Sequence, residues 1–394
     1  MMPCCPGMKG AMSVPLQRSS DRQNQVRINL FKIASKKDKV NFAMKKTFIE
    51  TQTHEMDSIR SILRDYYGRH LKSSSDLTQK ACCTEESLAR FASILEMIPG
   101  EVKARHYGCG CPVPDDDLTG LRVLDLGSGA GVDAFILSFL VGPNGFVSGI
   151  DMTDEQLDVA TRNTAAVMER FGYDRPNVRF ERDFIEMASS VPDQSIDIVV
   201  SDCVINLSPR KDLVFQTIYR ILKEGGEFYI SDIVADRRVP DSIRNNSEMI
   251  AECLGGAEYE HDWFDVMRDS GFQDPRIISR REVQRDVLGE PIIFSSMTVR
   301  GFRFADPLDR RCEDYGQIAT YKGSISGLPS RFMLDDHHMF ETHRPVPVCR
   351  NTARMLKESR LGNHFDVTAP IRHFGLFPCG PAVSSSSTQN GSCC

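Results

Sequence analysis

From residue 121 onward the chain alternates two hydrophobic rhythms. LRVLDL is a short apolar run that breaks at Gly127, Gly129 and Gly131, and Val132 to Leu140 then restarts at helical spacing, so the pattern predicts a buried strand, a glycine turn and a helix. Phe146 to Ile150 is a second strand, ending on Asp151. Thr153-x-x-Gln156 reads as a capping box for a helix whose apolar face is Leu157, Ala160, Thr164, Met168 and Phe171, stopped by Gly172. Val178 to Phe180 is a third strand ending near Asp183 and Phe184. A fourth, Ile196 to Val200, delivers Ser201, Asp202 and Cys203 at its carboxyl end. Val214, Ile218 and Ile221 mark a helix closed by Gly225-Gly226, and Glu227 to Ser231 is a fifth strand.

A helix carrying Cys253 and ending at Gly255-Gly256 follows, then another over Asp262 to Ser270. Pro275 to Val283 and Ile292 to Phe304 alternate like strands, and with no long crossover between them they should pair antiparallel at the sheet edge. The whole predicts an α/β fold, a doubly wound, mostly parallel sheet with an antiparallel edge hairpin, spanning 118–306. Ahead of it, apolar positions at Ile62 and Tyr66, and at Leu88, Phe91 and Leu95, predict helices over Met56–Leu71 and Glu85–Tyr107. This helical segment, 56–117, carries Cys82, Cys83, Cys109 and Cys111 on loops and ends in the Pro112 to Asp117 boundary. Residues 307–381 read as a small C-terminal module, and 382–394 as a disordered tail.

Residues 1–55 hold ten Lys or Arg against four Asp or Glu and little apolar periodicity. They read as a disordered basic leader, with an organellar presequence as the functional alternative to a cytoplasmic chain. A net charge of −6 over 394 residues gives no case for nucleic acid, and no span approaches the length that crosses a bilayer. Thirteen cysteines without an apolar signal segment point to reduced thiol chemistry rather than a disulfide scaffold.

A carboxylate at the end of the second strand, Asp151, lies where open α/β sheets bind ligands and suits ribose hydroxyls. Gly127-x-Gly129-x-Gly131 is not the dinucleotide spacing, and no Lys-Ser/Thr pair follows to hold phosphate and Mg²⁺. Asp125, just before the glycines, would repel phosphate and favour an ammonium or sulfonium group. Together they point to S-adenosylmethionine.

LDLGSGAGVD, GIDMTDEQLDVA, VVSDCVINL, LKEGGEFYISDI, AECLGGA and HYGCG, with the later EDYGQIATY, resemble the arsenite S-adenosylmethionine methyltransferases, algal members included. The resemblance runs from about Met56 to Gly375 and implies a class I methyltransferase fold. It implies that Cys109, Cys203 and Cys253 hold trivalent arsenic, a soft centre that thiolates select. It assigns Asp125, Gly127 and Gly129 to the methionine moiety of the cofactor, Asp151 and Met152 to the ribose, and Phe184 and Ile185 to the adenine. Cys82, with Cys83 beside it, would form the disulfide that reduces the pentavalent product, restored by thioredoxin or glutathione. The family build implies a monomer. Relatives have Asn where this chain has Asp202, and often Arg where it has Val132. Two other readings compete: a methyltransferase for a small organic acceptor, which needs neither Cys203 nor Cys253, and a thiophile-binding protein without turnover, which does not need Asp151. Cys312, Cys349 and Cys379 read as small hydrophobes of the structure, and His337, His338 and His343 as a polar loop.

Overall fold

Eight strands form one sheet in the computed structural model, which describes residues 56–77 and 88–379. They are β1 (Arg122–Leu126), β2 (Phe146–Asp151), β3 (Val178–Arg182), β4 (Ile196–Asp202), β5 (Leu222–Ala235), β6 (Glu258–Tyr259), β7 (Arg276–Val287) and β8 (Glu290–Phe302). The order is β3-β2-β1-β4-β5-β8-β7, with β6 paired to the end of β5. Strands β1 to β5 run parallel, while β8 is antiparallel to β5 and to β7. The basic leader, Cys82, Cys83 and the tail after 379 lie outside the described residues.

Period two explains why the central strands are apolar throughout. Val123, Val147, Ile198 and Val200 pack on one face with the helix Val132–Val141. Leu124, Leu126, Ile150 and Val199 pack on the other with the helix Lys211–Ile221. A parallel sheet covered on both faces demands such strands, and each fully buried Val or Leu contributes about 1.5–3 kcal/mol.

Four local readings change. The helix over 56–65 starts where the pattern puts it but runs into a π-helical turn at Tyr66–His70, and it buries Leu63 while leaving Ile62 exposed. Glu85–Tyr107 is not one helix: Ala92–Met97 and Gly100–Lys103 are separate, because Pro99 cannot continue the first. Thr153 caps no N–H through its side chain; Gln156 Nε2 instead donates to the Tyr67 carbonyl at 2.8 Å, tying the long helix Asp154–Phe171 to the N-terminal segment. Gly225 and Gly226 do not close a helix but lie inside β5, where Gly225 has φ +70 and a Cβ would come within 2.4 Å of the Glu358 carbonyl oxygen.

After β8 a second core forms around Phe304, Tyr321, Phe332, Phe340, Leu356 and Phe365. It contains a three-stranded sheet of Pro345–Val348, Gln317–Tyr321 and Phe365–Val367, with the helix Arg350–Glu358 packed against it. A buried ion network joins it to the main sheet. Arg300 Nε donates to Glu227 at 2.6 Å, Arg360 donates to the other Glu227 oxygen, and Arg360 also reaches both Asp116 oxygens at 2.7 Å.

Candidate functional site

The turn after β1 is built by hydrogen bonds and by space. The N–H groups of Gly127 and Ser128 donate to the Ile150 carbonyl at 2.8 and 3.0 Å, pinning β1 to β2 at their carboxyl ends. Gly127 has φ +77, and a Cβ there would lie 2.5 Å from Val204 Cγ2, so only glycine fits. Asp151 is held in place by two N–H donors, Gly129 at 2.9 Å to Oδ2 and Thr153 at 2.8 Å to Oδ1. Asp125, Gly127, Gly129, Asp151, Met152, Phe184 and Ile185 all line one cleft at this end of the sheet. Arg60 adds to its wall, with its guanidinium 3.9 Å above the Phe184 ring and a 3.1 Å bond to Glu186.

Three carboxylates, Asp125, Asp133 and Asp151, are gathered in that cleft. Burial pushes the Asp125 carboxyl well above the ordinary range, and the charges of Asp133 and Asp151 push it further. Asp133 is raised by burial, eased by His106, and Asp151 is raised by burial against its N–H donors. Asp125 Oδ2, Ser128 Oγ and Asp133 Oδ1 are buried without a hydrogen-bond partner among the described residues. Orphaned acceptors beside a carboxylate cluster are costly unless a ligand bearing a positive charge and donors satisfies them. The residues present therefore fit a cationic amino-acid nucleoside and do not fit a polyphosphate.

Cys203 lines the same cleft. It follows β4 directly, is 4% exposed, and has φ +58, a conformation a non-glycine residue adopts at a cost of about 1–3 kcal/mol. Its sulfur lies within 4.8 Å of the Cys109 sulfur and of an Asp232 carboxylate oxygen, and these two are likewise within 4.8 Å of each other. Cys109 is fully buried. Its loop is anchored by Asp202, whose Oδ1 accepts the N–H of Cys109 at 3.0 Å and of Gly110 at 3.1 Å. Ser296 Oγ donates to the Cys109 carbonyl at 2.8 Å.

Cys253 stands beside this trio rather than in it. It is not helical: it follows the short helix Ser247–Ala251 with φ +67, which no right-handed helix contains. The turn aims its thiol at the Cys203 carbonyl, to which Sγ donates at 3.0 Å, and the three cysteines share one apolar core cluster. Cys111 lies apart from the trio, where Arg90 donates to its sulfur at 3.3 Å and burial pushes its thiol up to about 11.

Sequence reasoning missed Asp232 and the anchoring role of Asp202. Asp232 is fully buried, takes N–H bonds from Asn206 at 3.0 Å and Ile233 at 2.9 Å, and sits in the strand LKEGGEFYISDIVA. A carboxylate in an apolar strand was the available signal. Asp202 signals itself only through the loop it captures.

Residues 117–271 match a family model described as a methyltransferase domain, and 315–392 match one described as the arsenite methyltransferase C-terminal domain. An arsenite methyltransferase of Aquipseudomonas alcaligenes is 44% identical over 347 residues, 84% of this chain and 99% of the relative. That of Mus musculus is 38% identical over 326 residues, 79% of this chain and 84% of the relative. Among solved structures, CrArsM, an arsenic (III) S-adenosylmethionine methyltransferase from Chlamydomonas reinhardtii, is similar at 42% identity and a TM-score of 0.69, covering 73% of this chain and 98% of that one.

Proposed function

Because the chain belongs to the arsenite methyltransferase family, with S-adenosylmethionine-dependent methylation of trivalent arsenic as its activity, we propose that Cys109, Cys203 and Cys253 are the thiolates that hold the metalloid. One observation carries this reading: Cys203 belongs at once to the cofactor cleft and to the buried thiol cluster. A small organic acceptor would have no use for two buried sulfurs at that junction.

When bound, the cofactor supplies an electrophilic methyl on a sulfonium. Asp125, Asp133 and Asp151 provide the negative field that draws such a cation to the glycine turn, and Asp151 keeps lone pairs for ribose hydroxyls. Phe184 and Ile185 offer an apolar wall for the adenine. Arsenic bound by three sulfurs keeps its lone pair, so it is its own nucleophile and needs no general base. The protein's work is to place two reactants in line and exclude water, and effective molarities for such placement supply about 7–11 kcal/mol. Asp232, within 4.8 Å of both sulfurs, is a carboxylate placed to relay a thiol proton to the departing hydroxide as arsenic binds. The pentavalent product then requires two electrons, which Cys82 or Cys83 supplies by forming a disulfide with another thiol of the chain, and thioredoxin or glutathione restores both thiols.

The test is to incubate the full chain with methyl-labelled cofactor, arsenite and a thiol reductant and to speciate the arsenic. Methylated arsenicals should form with wild type and not with Cys203→Ser. Wild-type rates in that variant would remove Cys203 from the site.

A further inference from the structure

A second group of thiols lies outside the cleft lining, in the module after β8. The sulfurs of Cys312, Cys349 and Cys379 all fall within 4.8 Å of one another. They come from three separate segments, so their convergence is a product of the fold. Cys312 precedes the short strand Glu313–Asp314, which pairs antiparallel with Gly375–Leu376. That pairing continues as Phe377 N–H donates to the Cys312 carbonyl at 2.7 Å, and Cys379 N–H donates to the Phe377 carbonyl at 2.8 Å. The exposed Cys379 is thereby brought over the half-buried Cys312.

Cys349 closes the triangle from below and is fully buried. It is the N-cap of the helix Arg350–Glu358, and its sulfur accepts the Thr352 N–H at 3.4 Å, with Thr352 Oγ1 at 3.3 Å. Arg276, also buried, donates to that Thr352 hydroxyl at 3.1 Å and brings a positive charge to the same corner. The Cys312 and Cys379 thiols, as donors, hold the Cys349 thiol well below its ordinary range, against burial and with help from Thr352. The same bonds push Cys312 up to about 11 and raise Cys379. The three sulfurs lie close enough together for one thiophilic ion to displace the protons of all three.

We propose that Cys312, Cys349 and Cys379 form a second metalloid site, one that binds trivalent arsenic through three sulfurs without methylating it. Among the described residues the grouped ligand atoms are three sulfurs, which favours a soft centre over a hard cation. A structural zinc site takes four ligands, and the cluster contains three. Trivalent arsenic needs three, because its lone pair fills the fourth direction. The step balances without redox: arsenite's three As–O bonds break as three As–S bonds form. The oxygens leave as water, each taking up the proton of one thiol. The bound ion would tie the Gly375–Cys379 segment to the helix, coupling the end of the module to arsenic supply. The identity of the ion rests on the proposed function, but the thiol site itself does not.

The test uses the reduced full chain, loaded with arsenite and desalted, with bound arsenic and zinc counted by mass spectrometry. Cys203→Ser should retain arsenic, and adding Cys379→Ser should lower retention by about one atom per chain. Cys379→Ser alone should still methylate arsenite, because the residue lies outside the cleft. Arsenite should also slow amide exchange across 371–379 in wild type and not in Cys379→Ser. Equal retention with and without Cys379→Ser, and equal with Cys312→Ser, would overturn the site whatever the other thiols hold. Stoichiometric zinc that disappears in Cys379→Ser would overturn arsenic as its ligand. Should Cys203→Ser itself methylate normally, the active-site reading fails while this comparison stands.

Discussion

Asp202 offers the sharpest separation of hydrogen bonding from charge at the thiol cluster. Both N–H groups of the Cys109–Gly110 pair end on its Oδ1, at 3.0 and 3.1 Å, in a loop whose cysteine is fully buried. Asp202→Ala would leave two part-buried donors without that acceptor, each worth up to about 1–3 kcal/mol, and the loop would relax rather than carry the full cost. A loss of about 3 kcal/mol in Cys109 positioning corresponds to roughly a 100-fold fall in kcat/KM for arsenite. Asp202→Asn keeps an oxygen where Oδ1 stands and should stay within about tenfold of wild type, since an amide oxygen accepts both bonds. The assay is the initial rate of arsenite methylation across arsenite concentration, with thermal melts to show that both variants fold. Wild-type activity in Asp202→Ala would refute the anchoring role. An Asn variant as impaired as the Ala variant would show that the carboxylate acts through its charge.

Three further outcomes are expected. Asp151→Ala should weaken cofactor binding by about 1.5–3 kcal/mol while arsenite retention persists, as read by titration calorimetry; unchanged cofactor affinity would point to another ribose partner. Burial and two neighbouring carboxylates raise the Asp125 pKa and a bound cation favours its charged form, so cofactor affinity should rise with pH and Asp125→Asn should flatten that dependence. Calorimetry in buffers of different ionisation enthalpy would detect the released proton. Burial opposes ionisation of Glu227, but Arg300 and Arg360 outweigh it and hold its pKa below the ordinary value. Its stability contribution is then present above the unfolded pKa and lost as pH falls through the depressed one. Arg360→Ala should cost about 3 kcal/mol at pH 7 in urea unfolding, and the gap to wild type should narrow in acid.

What the chain settles by itself is local in physical origin. Period-two and period-3.6 patterns need only neighbouring residues, so the strands, most of their helices and the β7–β8 hairpin were legible. So was the glycine turn, since a residue without Cβ is the cheapest way to reach positive φ beside Val204. That Asp151 and Cys203 face one cleft was legible because the carboxyl ends of parallel strands share one edge. Cys253 was misjudged as helical because positive φ in a cysteine is imposed by surroundings and carries no sequence mark. Asp202 and Asp232 gain their roles from loops and strands that only packing brings to them. The same holds, more strongly, for Cys312, Cys349 and Cys379. Each alone is a plausible small hydrophobe, and no spacing rule joins them, because a strand pairing, a helix start and a returning terminal segment decide together that three sulfurs meet.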